Sequence, residues 1–128
     1  MSGKKLNSKI ANQITQANPL ELVIIAYSAA IESLQNAKKF LKSKETKKAK
    51  ESILKTKKII AELKKSLDMD IQEVSSNLVV LYNTIDNLLD LALQNKDIAV
   101  VEQISKMLIE IREAWQSIAK QNIQNTYK

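Results

Sequence analysis

The stretch IQEVSSNLVVLYNTIDNLLDLALQN, Ile71 to Asn95, places apolar residues three or four positions apart along its whole length, the period of an α-helix rather than of a strand. Two apolar rows run side by side along it. Ile71, Val74, Leu78, Leu81, Ile85, Leu88 and Ala92 form one, and Val79, Tyr82, Leu89 and Leu93 form the other. One row is enough to dock a helix into a bundle. An apolar arc wider than about 100° needs a further partner or faces water. The first row is therefore expected to face the core, and the second, with Tyr82 at its centre, to offer a surface to another molecule.

The rest of the chain is built from the same material. Its 128 residues contain one Gly and one Pro, too few for the tight turns of a β-sheet, while Lys, Leu, Ile, Ala, Gln and Glu favour helices. The expected fold is all-α and a single domain, since a chain of this size can bury roughly two thirds of its unfolded surface around one core. No apolar run approaches the roughly 18 residues that span a bilayer, and Met1 to Lys9 carries charge without an apolar signal core. Stable membrane insertion is not expected, and the chain reads as cytoplasmic.

Four helices can be bounded by their ends, at about 19–42, 46–67, 71–94 and 98–120. Asn18-Pro19-Leu20-Glu21 supplies a cap, a Pro at the first helical position and an acid three residues beyond the cap. The inward stripe that follows is Leu20, Val23, Tyr27, Ala30, Leu34, Ala37 and Leu41. The second helix points Ala49, Ile53, Thr56, Ile60, Leu63 and Leu67 inward and mostly Lys outward. Asp70 with Glu73 forms a capping box for the third helix, which Asn95 can close in the left-handed conformation. Asp97 caps the fourth, whose inward stripe is Ile98, Val101, Ile104 or Ser105, Leu108, Ile111, Trp115 and Ile118 before a fraying tail at 122–128. Short links force successive helices antiparallel, so the architecture is an antiparallel up-and-down four-helix bundle spanning 18–121. Residues 1–17 make a short N-terminal arm, a short helix or a self-cap, whose Ile10 and Ile14 can lie on an apolar surface of the bundle.

The chain has neither His nor Cys, which removes the usual neutral-pH base, the thiolate nucleophile and the commonest metal ligand. The glutamates lie off the inward stripes and read as solvated charge; Asp86 and Asp90 lack the converging oxygens of a metal site. We therefore expect no catalytic residues, no metal and no cofactor. Charge is unevenly spread, with a net of +9 over residues 1–68 and −3 over 69–128. Clustered Lys suits phosphate, but Arg112 is the only Arg and no aromatic residues interleave the lysines. A nucleic-acid-binding module is thus an alternative reading, as is a structural homo-oligomeric bundle, and nucleic acid is not an expected partner. Tyr27 and Trp115 fall on inward stripes, as core residues whose polar atoms find partners. The candidate partner-binding residues are Val79, Tyr82, Leu89 and Leu93, with Leu54 and Ile59 off the stripe of the second helix, and Tyr27.

Several blocks resemble a known family in order and spacing. Ala17-Asn18-Pro19-Leu20-Glu21-Leu22-Val23-Ile24-Ile25-Ala26-Tyr27-Ser28-Ala29-Ala30-Ile31 is similar to the opening helix of the flagellar export chaperone FliS family. Ile59 to Leu63 with Ser66-Leu67-Asp68 resembles that family's second helix, Asn77-Leu78 to Leu81-Tyr82-Asn83 its third, and Ile111 to Trp115 its fourth. Ala26 and Ser28 stand where the family carries Leu and Asp, and the glycine usual after Asp68 is missing. The resemblance implies a cytoplasmic chaperone that binds the disordered C-terminal segment of flagellin, prevents premature polymerisation and aids export, with the flagellar export gate as a further partner. It fits a monomer or weak homodimer whose Ile10 and Ile14 shield the binding groove until flagellin arrives.

Overall fold

A computed structural model describes residues 19–67 and 72–126. They form α1 (Pro19–Lys42), α2 (Thr46–Lys65), α3 (Gln72–Asn95) and α4 (Ile98–Thr126). Helix α1 packs against α2 and α4, and α3 against the same two, so α1 and α3 face each other across the diagonal. Cross-links fix the direction. Lys38 pairs with Glu102 at 2.5 Å and Arg112 Nη1 donates to Ser28 Oγ at 3.2 Å, so α4 descends where α1 rises. Lys57 bonds Asp90 and lies 3.6 Å from Asp86, while Lys64 Nζ donates to Asn83 at 2.6 Å, so α2 and α3 are likewise antiparallel. The fold is the expected four-helix bundle.

The ends of the helices follow local chemistry, with two departures from expectation. Lys44 has φ 61° and closes α1: Glu45 N donates to Phe40 O at 2.8 Å and Lys44 N to Leu41 O at 3.2 Å. This pair of bonds satisfies carbonyls that the last turn leaves without partners, a task usually given to Gly because only Gly adopts positive φ without steric cost. At the same end of the bundle Lys96, with φ 50°, takes the left-handed position expected of Asn95, which is the last residue of α3. Asp97 caps α4 as its side chain predicts, accepting from Ala99 N at 3.0 Å. Helix α4 runs to Thr126, past the fraying point expected near residue 121. The caps assigned to Asn18 and Asp70 lie outside the described residues.

Every helix contributes to one core. Tyr27, Ala30, Leu34 and Ala37 come from α1, Ile53, Ile60 and Leu63 from α2, and Val101, Ile104 and Leu108 from α4. Thr56 is fully enclosed among them, and its hydroxyl is satisfied by donating to Ser52 O at 2.9 Å. Helix α3 is turned differently from the expectation. Its enclosed row is Tyr82, Ile85, Leu89 and Ala92, whereas Leu78, Leu81 and Leu88 are half-buried along its flank. The two rows on α3 are adjacent, and the core takes the seam between them: Ile85 and Ala92 from one, Tyr82 and Leu89 from the other. Ile118, expected inward, is 42% exposed.

Candidate partner-binding groove

Tyr82 and Leu89, expected on an outward stripe, are 2% and 0% exposed, and Tyr27 is 0% exposed. The physical reason lies across the bundle. Tyr27 Oη and Tyr82 Oη are 2.7 Å apart, a hydrogen bond that joins the two diagonal helices inside the core, with the rings tilted at 46° and their centroids 6.4 Å apart. A buried phenol needs a partner for its hydroxyl, and each of these tyrosines supplies the other's. Burial pushes the pKa of both upward because a phenolate cannot be solvated there; for Tyr27 the bond from Tyr82 and the nearby Trp115 indole act more weakly in the opposite sense. Trp115 Nε1 is close to Tyr27 but, among the described residues, makes no properly aligned hydrogen bond, and neither does the buried Nε of Arg112.

Exposed apolar side chains are spread over the bundle, with Val80 at 65%, Leu54 at 45% and Leu91 at 40%, and one apolar surface, between α1 and α2, is concave. A groove of about 780 Å³ opens there. Its α1 wall is Pro19, Leu22, Val23, Ile25, Ala26 and Ala29, and its α2 wall carries Lys55, Lys58, Ile59, Glu62, Leu63 and Ser66. Leu22, Ile25, Ala26 and Ala29 stand at i, i+3, i+4 and i+7, a second stripe turned away from the one formed by Val23, Tyr27, Ala30 and Leu34. The unbroken apolar run Leu22-Val23-Ile24-Ile25-Ala26 is the signal in the sequence that marks it. Five consecutive positions reach around more than half of a helix, and no single interface covers that arc. Ile25 is 36% exposed as a result.

Of the residues expected at a partner site, Ile59 alone lines this groove. Leu54 is 45% exposed on α2 but outside the groove lining. Val79 is half-buried on α3. Leu93 borders a smaller depression of about 330 Å³ at the opposite end of the bundle, beside Leu41, Ala49, Ile53 and Ala92. Ile10 and Ile14 lie outside the described residues. The structure thus scatters the expected set. It gathers Leu22, Ile25, Ala26 and Ala29, which the spacing of α1 alone left unassigned, into one surface with Ile59. Lys55 and Lys58 are exposed on its rim and have no ion-pair partner among the described residues, whereas Lys57 is held by Asp86 and Asp90. Such a surface can hold an apolar segment by burial. Among the described residues no His, Cys, Asp or Glu cluster is arranged for a metal ion, and no helix is long and apolar enough to cross a membrane.

Comparison with known proteins adds the family. A family model described as flagellar protein FliS matches residues 2–122. The chain belongs to the FliS family. A solved structure titled as the crystal structure of a flagellar chaperone from bacteria shares the fold with a TM-score of 0.78, at 19% identity, covering 94% of this chain and 99% of that one. No curated protein sequence matches. The sequence blocks that carried the resemblance place Pro19 to Ile31 on α1, Ile59 to Leu63 on α2 with Ser66 and Leu67 just past its end, Asn77 to Asn83 on α3 and Ile111 to Trp115 on α4.

Proposed function

We propose that this FliS-family protein is a cytoplasmic chaperone that binds the disordered C-terminal segment of flagellin in the α1–α2 groove. The observation that carries the proposal is the groove-lining stripe Leu22, Ile25, Ala26 and Ala29 opposite Ile59, an apolar concave surface in which Ile25 is exposed and the others are half-buried. Flagellin segments that join one another in a filament must be apolar and are unpaired before assembly. Laying such a segment in the groove covers both apolar surfaces and blocks self-association. Ordering the segment costs several kcal/mol, so contact must extend along the helices, over roughly 1,000 Å² or more. The bound complex then delivers its cargo to the export gate. In the absence of cargo, Ile10 and Ile14 of the N-terminal arm cover the same stripe, which keeps it from aggregating.

Ile25→Asp combined with Ile59→Asp tests this reading. Each change puts a carboxylate where a methylene surface should be buried, a cost of about 2 kcal/mol or more per site, and both side chains are at least partly exposed, so the bundle should retain its helical circular dichroism. Co-purification with the host's flagellin should be lost, as it should with flagellin lacking its C-terminal segment. Retained co-purification in either case sinks the groove.

A further inference from the structure

The groove is chemically lopsided along its length as well as across it. Its α1 wall is uncharged. On the α2 rim two cations with no ion-pair partner among the described residues, Lys55 and Lys58, stand three residues apart, and Glu62 follows one turn later. Because α1 and α2 are antiparallel neighbours, the two lysines lie toward the Ala29 end of the groove, while Glu62 and Ser66 lie toward the Pro19 end. From one end to the other, the rim therefore runs positive, positive, negative.

We propose that Lys55 and Lys58 are specificity residues of this groove: they select a segment carrying two carboxylates one helical turn apart on its α2-facing edge, and together with Glu62 they set which way the segment runs. This rests on the groove being the binding site. The argument is one of complementarity. An apolar stripe accepts any greasy segment in either direction, because burial is non-directional. Charges at the margin of an apolar contact discriminate by what they repel: a segment lying the wrong way would set its carboxylates against Glu62 and leave both lysines facing its uncharged end. The rise between Lys55 and Lys58, about 4.5 Å along the axis, matches a helical occupant's acids at i and i+3 or i+4. Lys57, between them in sequence, is excluded from this role because Asp86 and Asp90 hold it on the α3 side.

The test measures binding of purified, full-length host flagellin to the intact chain at about 0.05 M and about 0.5 M salt, which moves the screening length from near 14 Å to near 4 Å. Lys55→Glu with Lys58→Glu should weaken binding at low salt by about tenfold or more and reduce its salt dependence, and Lys55→Gln with Lys58→Gln should fall between. Lys47→Glu with Lys65→Glu makes the same change in net charge outside the groove lining, and should have less than about a threefold effect. Flagellin with C-terminal acids changed to Lys should regain affinity for the Glu variant. Binding by the Lys55/Lys58 variant within about twofold of the parent, or an equal loss in the Lys47/Lys65 variant, overturns the assignment. Ile25→Asp in parallel separates the two ideas: if it abolishes binding while the Lys55/Lys58 reversal does nothing, the groove stands and the charge selection falls. If it changes nothing, the groove itself is wrong.

Discussion

Replacing Tyr82 by Phe removes one oxygen from a fully enclosed pair, and the effect can be worked out from the partner left behind. Tyr27 Oη then sits in the core with no acceptor or donor opposite it except the poorly aligned Trp115 indole, so the cost is that of an orphaned buried hydroxyl, about 1–3 kcal/mol. Tyr27→Phe should cost a similar amount, since it strands Tyr82 Oη in the same way. The double Phe variant leaves neither hydroxyl unsatisfied and should be less destabilised than the two single losses added together, giving a coupling of about 1 kcal/mol or more. Urea unfolding followed by circular dichroism reads all four corners of the cycle, and the singles should melt about 4–12 °C below the parent. The pair also has a pH signature. Both native pKa values are raised above the ordinary 10, so both phenols stay protonated in the fold while the unfolded chain ionises. Their contribution is complete below pH 10 and is lost as pH rises above it, by up to about 1.4 kcal/mol per pH unit for each phenol that remains protonated. The double Phe variant should lack that part of the alkaline fall. Additive single losses, or an unchanged alkaline limb in the double variant, would refute the picture of a buried diagonal bond.

Three further outcomes follow from the same geometry. Leu89→Ala should destabilise the bundle by about 2–5 kcal/mol in urea unfolding, because Leu89 is wholly enclosed and its removal leaves a cavity; a loss below about 1 kcal/mol would mean that this face of α3 is open. Lys57→Met should cost no more than about 1 kcal/mol, and less at high salt, since the ion pairs with Asp86 and Asp90 are partly solvent-exposed. The Asp90 bond raises the pKa of Lys57, so this contribution is present below pH 10 and disappears as pH climbs through the native value; a thermal melt series on both proteins checks the sign. Deleting residues 2–16 should tighten flagellin binding or provoke self-association measurable by size-exclusion chromatography, and no change in either would remove the self-cap.

Residues that act within their own helix were legible without the fold. Asp97 caps α4, the seams of α1 and α2 follow their three-and-four spacing, and the shortage of Gly and Pro leaves no route to a sheet, because propensity and capping depend on neighbours a turn away. Orientation about a helix axis is another matter. On α3, Leu81 and Tyr82 are adjacent positions of two plausible rows, and periodicity alone does not say which turns inward. What turns Tyr82 inward is a hydroxyl 55 residues away on α1, a contact with no sequence signature. The same ambiguity hid the proposed groove: Leu22, Ile25, Ala26 and Ala29 have helical spacing as good as that of the true core row. They line the groove because Tyr27, Ala30 and Leu34 take the enclosed positions of α1. The chain by itself therefore determined that there would be four amphipathic rods, and that apolar surface would be left over. The packing of those rods decided where the surplus lies, since burial has no direction of its own and only the complete set of neighbours shows which face remains uncovered.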